Sequence, residues 1–348
     1  MGPPHRSFVE ISRERIARNY REVKRAVGPG VEVLGVVKAD AYGHGAREVA
    51  GILIAEGARW LGVSSVEEGV ALRSAGIGAR ILILAGFLPY ERAALVEHRL
   101  TPVIHSLEDL AALEELAAAA RAPVSFHLKV DTGMGRLGTR APADRIAAVL
   151  AASRQVRFEG LMSHFASAAD YSSAQTDAQI AAFTALQEAL VTAGVRPEYV
   201  HLASTNAIGY GRREAWGNLV RAGHALYGYL SPARGPAPEP LLRLEPALNW
   251  KARILAVKEI DAGALVGYGG SFRAPRPMRI AILGAGYADG IFHRLSNRGQ
   301  VIAAGKLAPI LGTVSMDLAT IDISHSSCLA PGDTVTLLGS EGEASLDA

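Results

Sequence analysis

A single cysteine, Cys328, stands among 348 residues, so no disulfide can form within the chain and zinc sites built from paired thiolates are excluded. The ten histidines carry no HExxH or comparable ligand spacing, and no metal is expected. Thirty-six Lys and Arg face 34 Asp and Glu; a net charge of +2 without a long basic block leaves no footprint for nucleic acid. No stretch approaches the roughly 20 apolar residues of a membrane helix, and the opening MGPPHRSFVEIS lacks the apolar core of a signal peptide. The expected setting is cytoplasmic and the expected partner a small molecule, with no nucleic acid and no membrane.

What is present is a chain long enough for a large core and a second, smaller domain, 49% hydrophobic and 20% charged. From about residue 10 to residue 230, short β-branched runs alternate with alanine-rich segments of helical period, the pattern of a parallel sheet with crossover helices. Eight strands are predicted: 31–39, 60–65, 81–86, 102–106, 124–130, 158–165, 199–205 and 219–229. Helices are predicted between them, among others over 46–57, 66–76, 107–120 and 174–194. Eight parallel strands close a barrel, whereas a doubly wound sheet usually carries GxGxxG after its first strand, a motif missing here. After SPARGPAPEP (231–240) the helical pattern gives way to short strands: 248–260, 278–285, 300–305, 308–315, 318–323 and 334–339. The fold expected is therefore α/β: an eight-stranded parallel β/α barrel of the TIM type over residues 9–235, then a separate mostly-β domain over 236–348, with residues 1–8 packing against it.

A barrel makes a chemical prediction, because its functional residues collect at the C-terminal ends of the strands. Lys38 closes the first strand, Lys129 and Asp131 the fifth, His164 the sixth, Ser204 and Thr205 the seventh, and Arg221 to His224 fall in the eighth. Lys38 lies in VVKADAYGHG, at the end of an apolar run that favours a neutral amine, the form that condenses with a carbonyl cofactor. In RAGHALYG, Arg221 is a permanent cation donor and Gly223 lets backbone amides approach a phosphate. KVDTGMGRLG packs Lys129, Asp131, three glycines and Arg136 into a tight loop. A lone histidine such as His164 is often a core residue; at a barrel strand end its face can stack on a planar ring. In the second half Tyr268 and Tyr287 sit between glycines in VGYGGSF and GAGYADG, and SMDLAT adds Met316 and Asp317.

With these motifs in this order, the chain resembles the alanine racemases, pyridoxal-phosphate enzymes with a β/α barrel and a C-terminal β domain. The resemblance runs from about residue 8 to the end. It implies that Lys38 carries pyridoxal 5'-phosphate and serves as one catalytic base, with Tyr268 as the second, reaching the site from the other subunit of a homodimer with shared active sites. It implies that Tyr42, Thr205 and the amides of Gly223 and His224 hold the phosphate, that Ser204 is a further cofactor contact, that Arg221 meets the pyridine nitrogen, and that His164 stacks on the ring. Arg136 is similar to the contact for the substrate carboxylate and the cofactor phenolic oxygen, Met316 and Tyr287 to residues of the substrate pocket and its entrance, and Lys129 to a position that is carbamylated in many members.

The implied reaction is interconversion of L-alanine and D-alanine by abstraction and return of the α-proton on a cofactor aldimine, supplying D-alanine for peptidoglycan. Broader amino-acid racemisation and a non-catalytic pyridoxal-phosphate-binding role are the alternatives. A decarboxylase would place an acid at the ring nitrogen, where this chain offers Arg221. Departures from the family pattern are Thr205 in ASTNA where a serine is common, Thr313 where an arginine is frequent, and an end at GSEGEASLDA where members continue to a late tyrosine that contacts phosphate.

Overall fold

Eight short apolar runs form eight parallel strands in the computed structural model, which describes residues 5–347. In chain order they are Glu32–Val36, Trp60–Val63, Arg80–Ile83, Thr101–Ile104, Val124–Lys129, Val156–Met162, Tyr199–His201 and Leu219–Ala222. Neighbours in sequence pair along the first seven, and the first also pairs with the eighth, Val33 opposite Val220. The seam between the seventh and the eighth is closed by an isolated bridge, Ser204 with Arg221, and by a bond from Arg221 N to Ala203 O of 3.1 Å. Two candidate residues thus stand where the barrel closes. Leu34, Trp60, Leu82, Val103 and Leu219 fill the interior, and helices cover the outside. Burial on both faces is why these strands read as unbroken apolar runs rather than alternating ones.

All eight expected strands are present; each stops short of its expected C-terminal end, and three begin one or two residues earlier than expected. The first stops at Val36, so Lys38 lies in the turn beyond it. The eighth stops at Ala222 because Gly223 leaves extended geometry (φ −112°, ψ −98°) and a short 3-10 turn, His224–Tyr227, follows. The helices Ala46–Ala55, Val66–Ser74, Leu107–Ala120 and Gln175–Thr192 fall inside the expected ranges. An additional helix, Arg13–Val27, is dense in charge but buries Ile16, Tyr20, Val23 and Val27 at helical spacing. Among the described residues no helix is long and apolar enough to cross a membrane.

The chain divides into two compact units. One is Arg13–Glu245; the other joins the N-terminal strand Ser7–Ile11 to the chain from Pro246 onward. Residues 236–245, expected with the second domain, are tied into the barrel unit: Leu241 N donates to Gly209 O at 2.7 Å, and buried Asn19 exchanges bonds of 2.9 and 3.0 Å with the backbone of Glu245. The first four of the eight residues expected to pack with the second domain lie outside the described residues. The second unit is an antiparallel sheet centred on the long strand Leu248–Ile260, which pairs with Ser7–Ile11, Met278–Leu283 and Thr334–Glu341. Ile254, Leu283, Ile310, Ile321 and Val335 form its core. A two-stranded hairpin, Leu265–Val266 with Phe272–Arg273, carries Tyr268 at its turn.

Candidate active site

The chain beyond Val36 is the most strained backbone in the barrel. Ala39, Asp40, Ala41 and Tyr42 all have φ between 50° and 56°, a full turn of left-handed helix made of non-glycine residues. Such geometry costs about 1–2 kcal/mol per residue, or roughly 4–8 kcal/mol here, so the surroundings must impose it. They do so from several sides. Asp40 Oδ1 accepts from Ala46 N at 2.7 Å, and Ala41 N donates to Val37 O at 2.9 Å. Tyr227 donates to Val36 O at 2.9 Å, and its ring lies 4.9 Å from that of Tyr42 and 4.5 Å from that of His44. The carboxylate of Glu68 accepts from Ala39 N at 2.5 Å and from Ser64 N at 2.6 Å. Glu68 also belongs to a capping box with Ser65, so one side chain starts a helix and clamps the residue next to Lys38.

Glu68→Gln tests that clamp. The amide keeps the shape but loses an accepting oxygen and the charge, which should weaken the turn by about 2 kcal/mol. The expected result is faster amide exchange at Ala39 and a lower kcat at unchanged fold. Unaltered protection at Ala39 would make Glu68 a helix cap and nothing more.

A cavity of about 730 Å³ opens where the strands end, and Lys38, Tyr42 and Arg136 line it. So do Ser204, Thr205, Gly223 and His224, which converge from the seventh and eighth strands. Thr205 Oγ1 accepts from Gly223 N at 3.0 Å and from Ala225 N at 3.3 Å, which fixes the hydroxyl oxygen and leaves its proton to donate elsewhere. A Cβ on Gly223 would lie 2.9 Å from the Tyr42 phenol oxygen, so any side chain there would push the phenol away. Burial pushes the Tyr42 phenol above its ordinary pKa, and it stays a donor.

Arg221 is 4% exposed, and among the described residues no carboxylate pairs with it. Its Nη1 donates to His201 O and Nδ1 at 2.8 and 2.9 Å; its Nη2 donates to Ser163 O at 2.8 Å, Leu202 O at 3.0 Å and His164 Nδ1 at 3.2 Å. Burial brings it down to about 9, still protonated at neutral pH. His164, half-buried, is brought down to about 3 by desolvation first and then by Arg221 and Lys129, and is a neutral ring. Gln179 places it, donating to His164 O at 3.1 Å while accepting from Ala166 N at 3.0 Å.

The glycine-rich loop after the fifth strand owes its shape to Asp131. One carboxylate oxygen accepts from the amides of Gly133, Met134 and Gly135 at 3.0–3.1 Å, and the other pairs with Arg140 at 2.7 Å. Lys129, 5% exposed and lining the same cavity, is brought down to about 8, by burial first and then by Arg221 and Arg136.

In the second unit Tyr268, Met316 and Tyr287 are 76%, 54% and 44% exposed, large side chains that the unit's own core does not take up. The segment from Gly312 to Met316 links them. Thr313 Oγ1 donates to Tyr268 O at 3.2 Å, and the amides of Tyr287 and Ala288 donate to Ser315 O and Met316 O at 2.9 and 3.0 Å. Glu68, Asp40, Tyr227 and His201 are site-building residues that the motifs did not single out. Only Glu68 had a local signal, the S-x-x-E of a capping box.

Comparison with known proteins finds similarity over nearly the whole chain. Residues 11–231 match the family model described as alanine racemase, N-terminal domain, and residues 247–348 that described as alanine racemase, C-terminal domain. The alanine racemase of Carboxydothermus hydrogenoformans is 40% identical over 342 residues, which cover 98% of this chain and 92% of that protein. Among solved structures, the alanine racemase from D-cycloserine-producing Streptomyces lavendulae superposes with a TM-score of 0.86 at 32% identity, covering 97% of this chain and 88% of that one. That from Bartonella henselae, with covalently bound pyridoxal phosphate, gives a TM-score of 0.84 at 30% identity, covering 97% and 91%.

Proposed function

The chain belongs to the alanine racemase family and is a pyridoxal-phosphate-dependent isomerase that interconverts L-alanine and D-alanine, and from that premise we propose how its own residues divide the work. The cavity fits the group: an amine beyond the first strand, a cluster of donors where Gly223 admits no side chain, and a cation with a neutral imidazole between them. When bound, pyridoxal phosphate supplies a carbonyl that captures the amino acid and a conjugated ring that takes up the electron pair of the broken α C–H bond.

Lys38 would hold the group through Nζ, and the same amine would serve as the base toward D-alanine. Tyr42, Ser204 and Thr205, with the amides of Gly223 and His224, bind the phosphate. Arg221 commits both terminal nitrogens to the protein, and as a cation it would keep the ring nitrogen it meets unprotonated. His164, neutral and fixed, stacks on the ring. Arg136 orients the substrate carboxylate, and Lys129, with its lowered pKa, is placed to take up carbon dioxide as a carbamate that steadies Arg136.

Tyr268 is the second base, working in the active site of the other subunit of a homodimer; its exposure in a single chain supports that assignment. Met316 and Tyr287, linked to it through the same segment, line the way in. Supply of D-alanine to the cell wall, from the cytoplasm, is the setting proposed.

The observation that carries this reading is the convergence of Lys38, Thr205, Gly223 and Arg221 on one cavity. Its test is L-alanine in heavy water with the purified chain and added pyridoxal phosphate. The α-proton signal should disappear as D-alanine accumulates, faster than lysine, arginine or serine is racemised. Cofactor binding without exchange of the α-proton would leave a carrier rather than a racemase.

A further inference from the structure

Arginine has donors and no acceptor, and this fixes where the protons sit on two buried histidines. Arg221 Nη1 donates to His201 Nδ1 at 2.9 Å, so that nitrogen carries no proton. The proton of His201 is therefore on Nε2, which lies 2.7 Å from His127 Nδ1 and donates to it. The proton of His127 is in turn on Nε2, with no hydrogen-bond partner and 3.6 Å from Glu159 Oε2, a distance too long for a hydrogen bond but within the reach of charge attraction. Glu159 is 1% exposed and paired with Arg80, whose guanidinium stacks 3.9 Å from the Trp60 ring. The line crosses the barrel interior from the ligand cavity to the opposite strand ends, and His127 and His201 are 0% exposed.

We propose that His201, His127 and Glu159 are positioning residues for Arg221: a one-way line of donors ending on a buried carboxylate that sets how the guanidinium meets the cofactor's ring nitrogen. This rests on the assignment of Arg221 to that nitrogen. The partners that touch Arg221 directly are neutral, three carbonyls and two imidazole nitrogens. A carboxylate in contact would draw the guanidinium into a bidentate pair. At two imidazoles' remove, Glu159 instead polarises each ring toward itself and makes His201 Nδ1 a stronger acceptor, orienting Arg221 without neutralising it. Burial holds both imidazoles below their ordinary pKa, as the line requires. For Glu159 burial works the other way, but His127 and Arg80 outweigh it and hold the carboxyl near 2, so it stays ionised.

The test is nitrogen NMR of the full chain, histidine-labelled with nitrogen-15 and loaded with pyridoxal phosphate, with kinetics of two variants. His201 and His127 should both show a bare Nδ1 and a protonated Nε2. His127→Gln can still accept from His201 and donate toward Glu159, and should keep most of kcat and the His201 signals. His127→Leu cannot, and should lose about tenfold in kcat at unchanged KM, the size expected for a partner one shell out, with the His201 signals displaced. A proton on His201 Nδ1 would overturn the proposal, as would a leucine variant indistinguishable from the glutamine one. If neither variant folds, the wild-type spectrum alone decides. The spectrum reads the line whether or not the chain turns over alanine, so failure here is separable from failure of the racemase reading.

Discussion

Lys38→Ala is expected to abolish racemisation, by more than about 10⁴-fold, while the protein stays folded. On the proposed assignment two functions disappear together, the covalent hold on the cofactor and the base on one face. Lys129 is the other amine lining the cavity, with a pKa brought down to about 8, so amine chemistry by itself would let it substitute. Geometry argues against this. Lys129 sits at the end of the fifth strand facing Arg136 and Arg221, whereas Lys38 leads into the left-handed turn beyond the first strand, with Tyr42 from that turn near Gly223. Loss of the side chain leaves Ala39–Tyr42 and their clamps untouched, so the thermal midpoint should move little. Proton exchange in heavy water, the absorbance of bound cofactor and thermal melting together check the prediction. Residual racemisation above about 1% of wild type would remove Lys38 as the essential base.

Much of this architecture was legible in the chain, and the exceptions share a physical cause. The long strand Leu248–Ile260 and the helix Leu107–Ala120 are found residue for residue, because each is a single periodic run with clear ends. The barrel strands were legible from their β-branched runs, and the place of Lys38 from strand order alone. The left-handed turn was not. Ala39, Asp40, Ala41 and Tyr42 are residues that local preference puts on the right-handed side, and the contacts from Glu68 and Tyr227 that help reverse that preference come from 29 and 185 residues away in sequence. The line from Arg221 was equally hidden, since His127 and His201 are 74 residues apart and look like core histidines one at a time. Proline-rich composition suggested a linker at 231–240, yet Leu241 and Glu245 just after it are bonded back to the barrel unit by backbone groups that composition does not report. The hairpin bearing Tyr268 has strands of two residues, too short for any period to register.

Tyr268→Phe should separate the two faces of the reaction. On the proposed assignment the base that removes the α-proton of L-alanine is gone, and turnover should fall by about 10³-fold. With D-alanine, Lys38 can still take the proton and hand back one from solvent on the same face. The variant in heavy water should therefore label the α-carbon of D-alanine while producing almost no L-alanine, and label L-alanine hardly at all. Phenylalanine keeps the ring, and the backbone that places it does not depend on the phenol: Thr313 Oγ1 bonds Tyr268 O at 3.2 Å and Ser271 Oγ lies 3.0 Å from the same hydroxyl. The Tyr268 ring is 76% exposed in the single chain, so its loss of one oxygen should leave the fold and cofactor binding unchanged. Proton NMR with chiral separation of the same samples reads each arm. Equal labelling of both enantiomers would mean that one base serves both faces, and unchanged racemisation would remove Tyr268 from the chemistry; only the one-sided pattern is what two bases of different identity require.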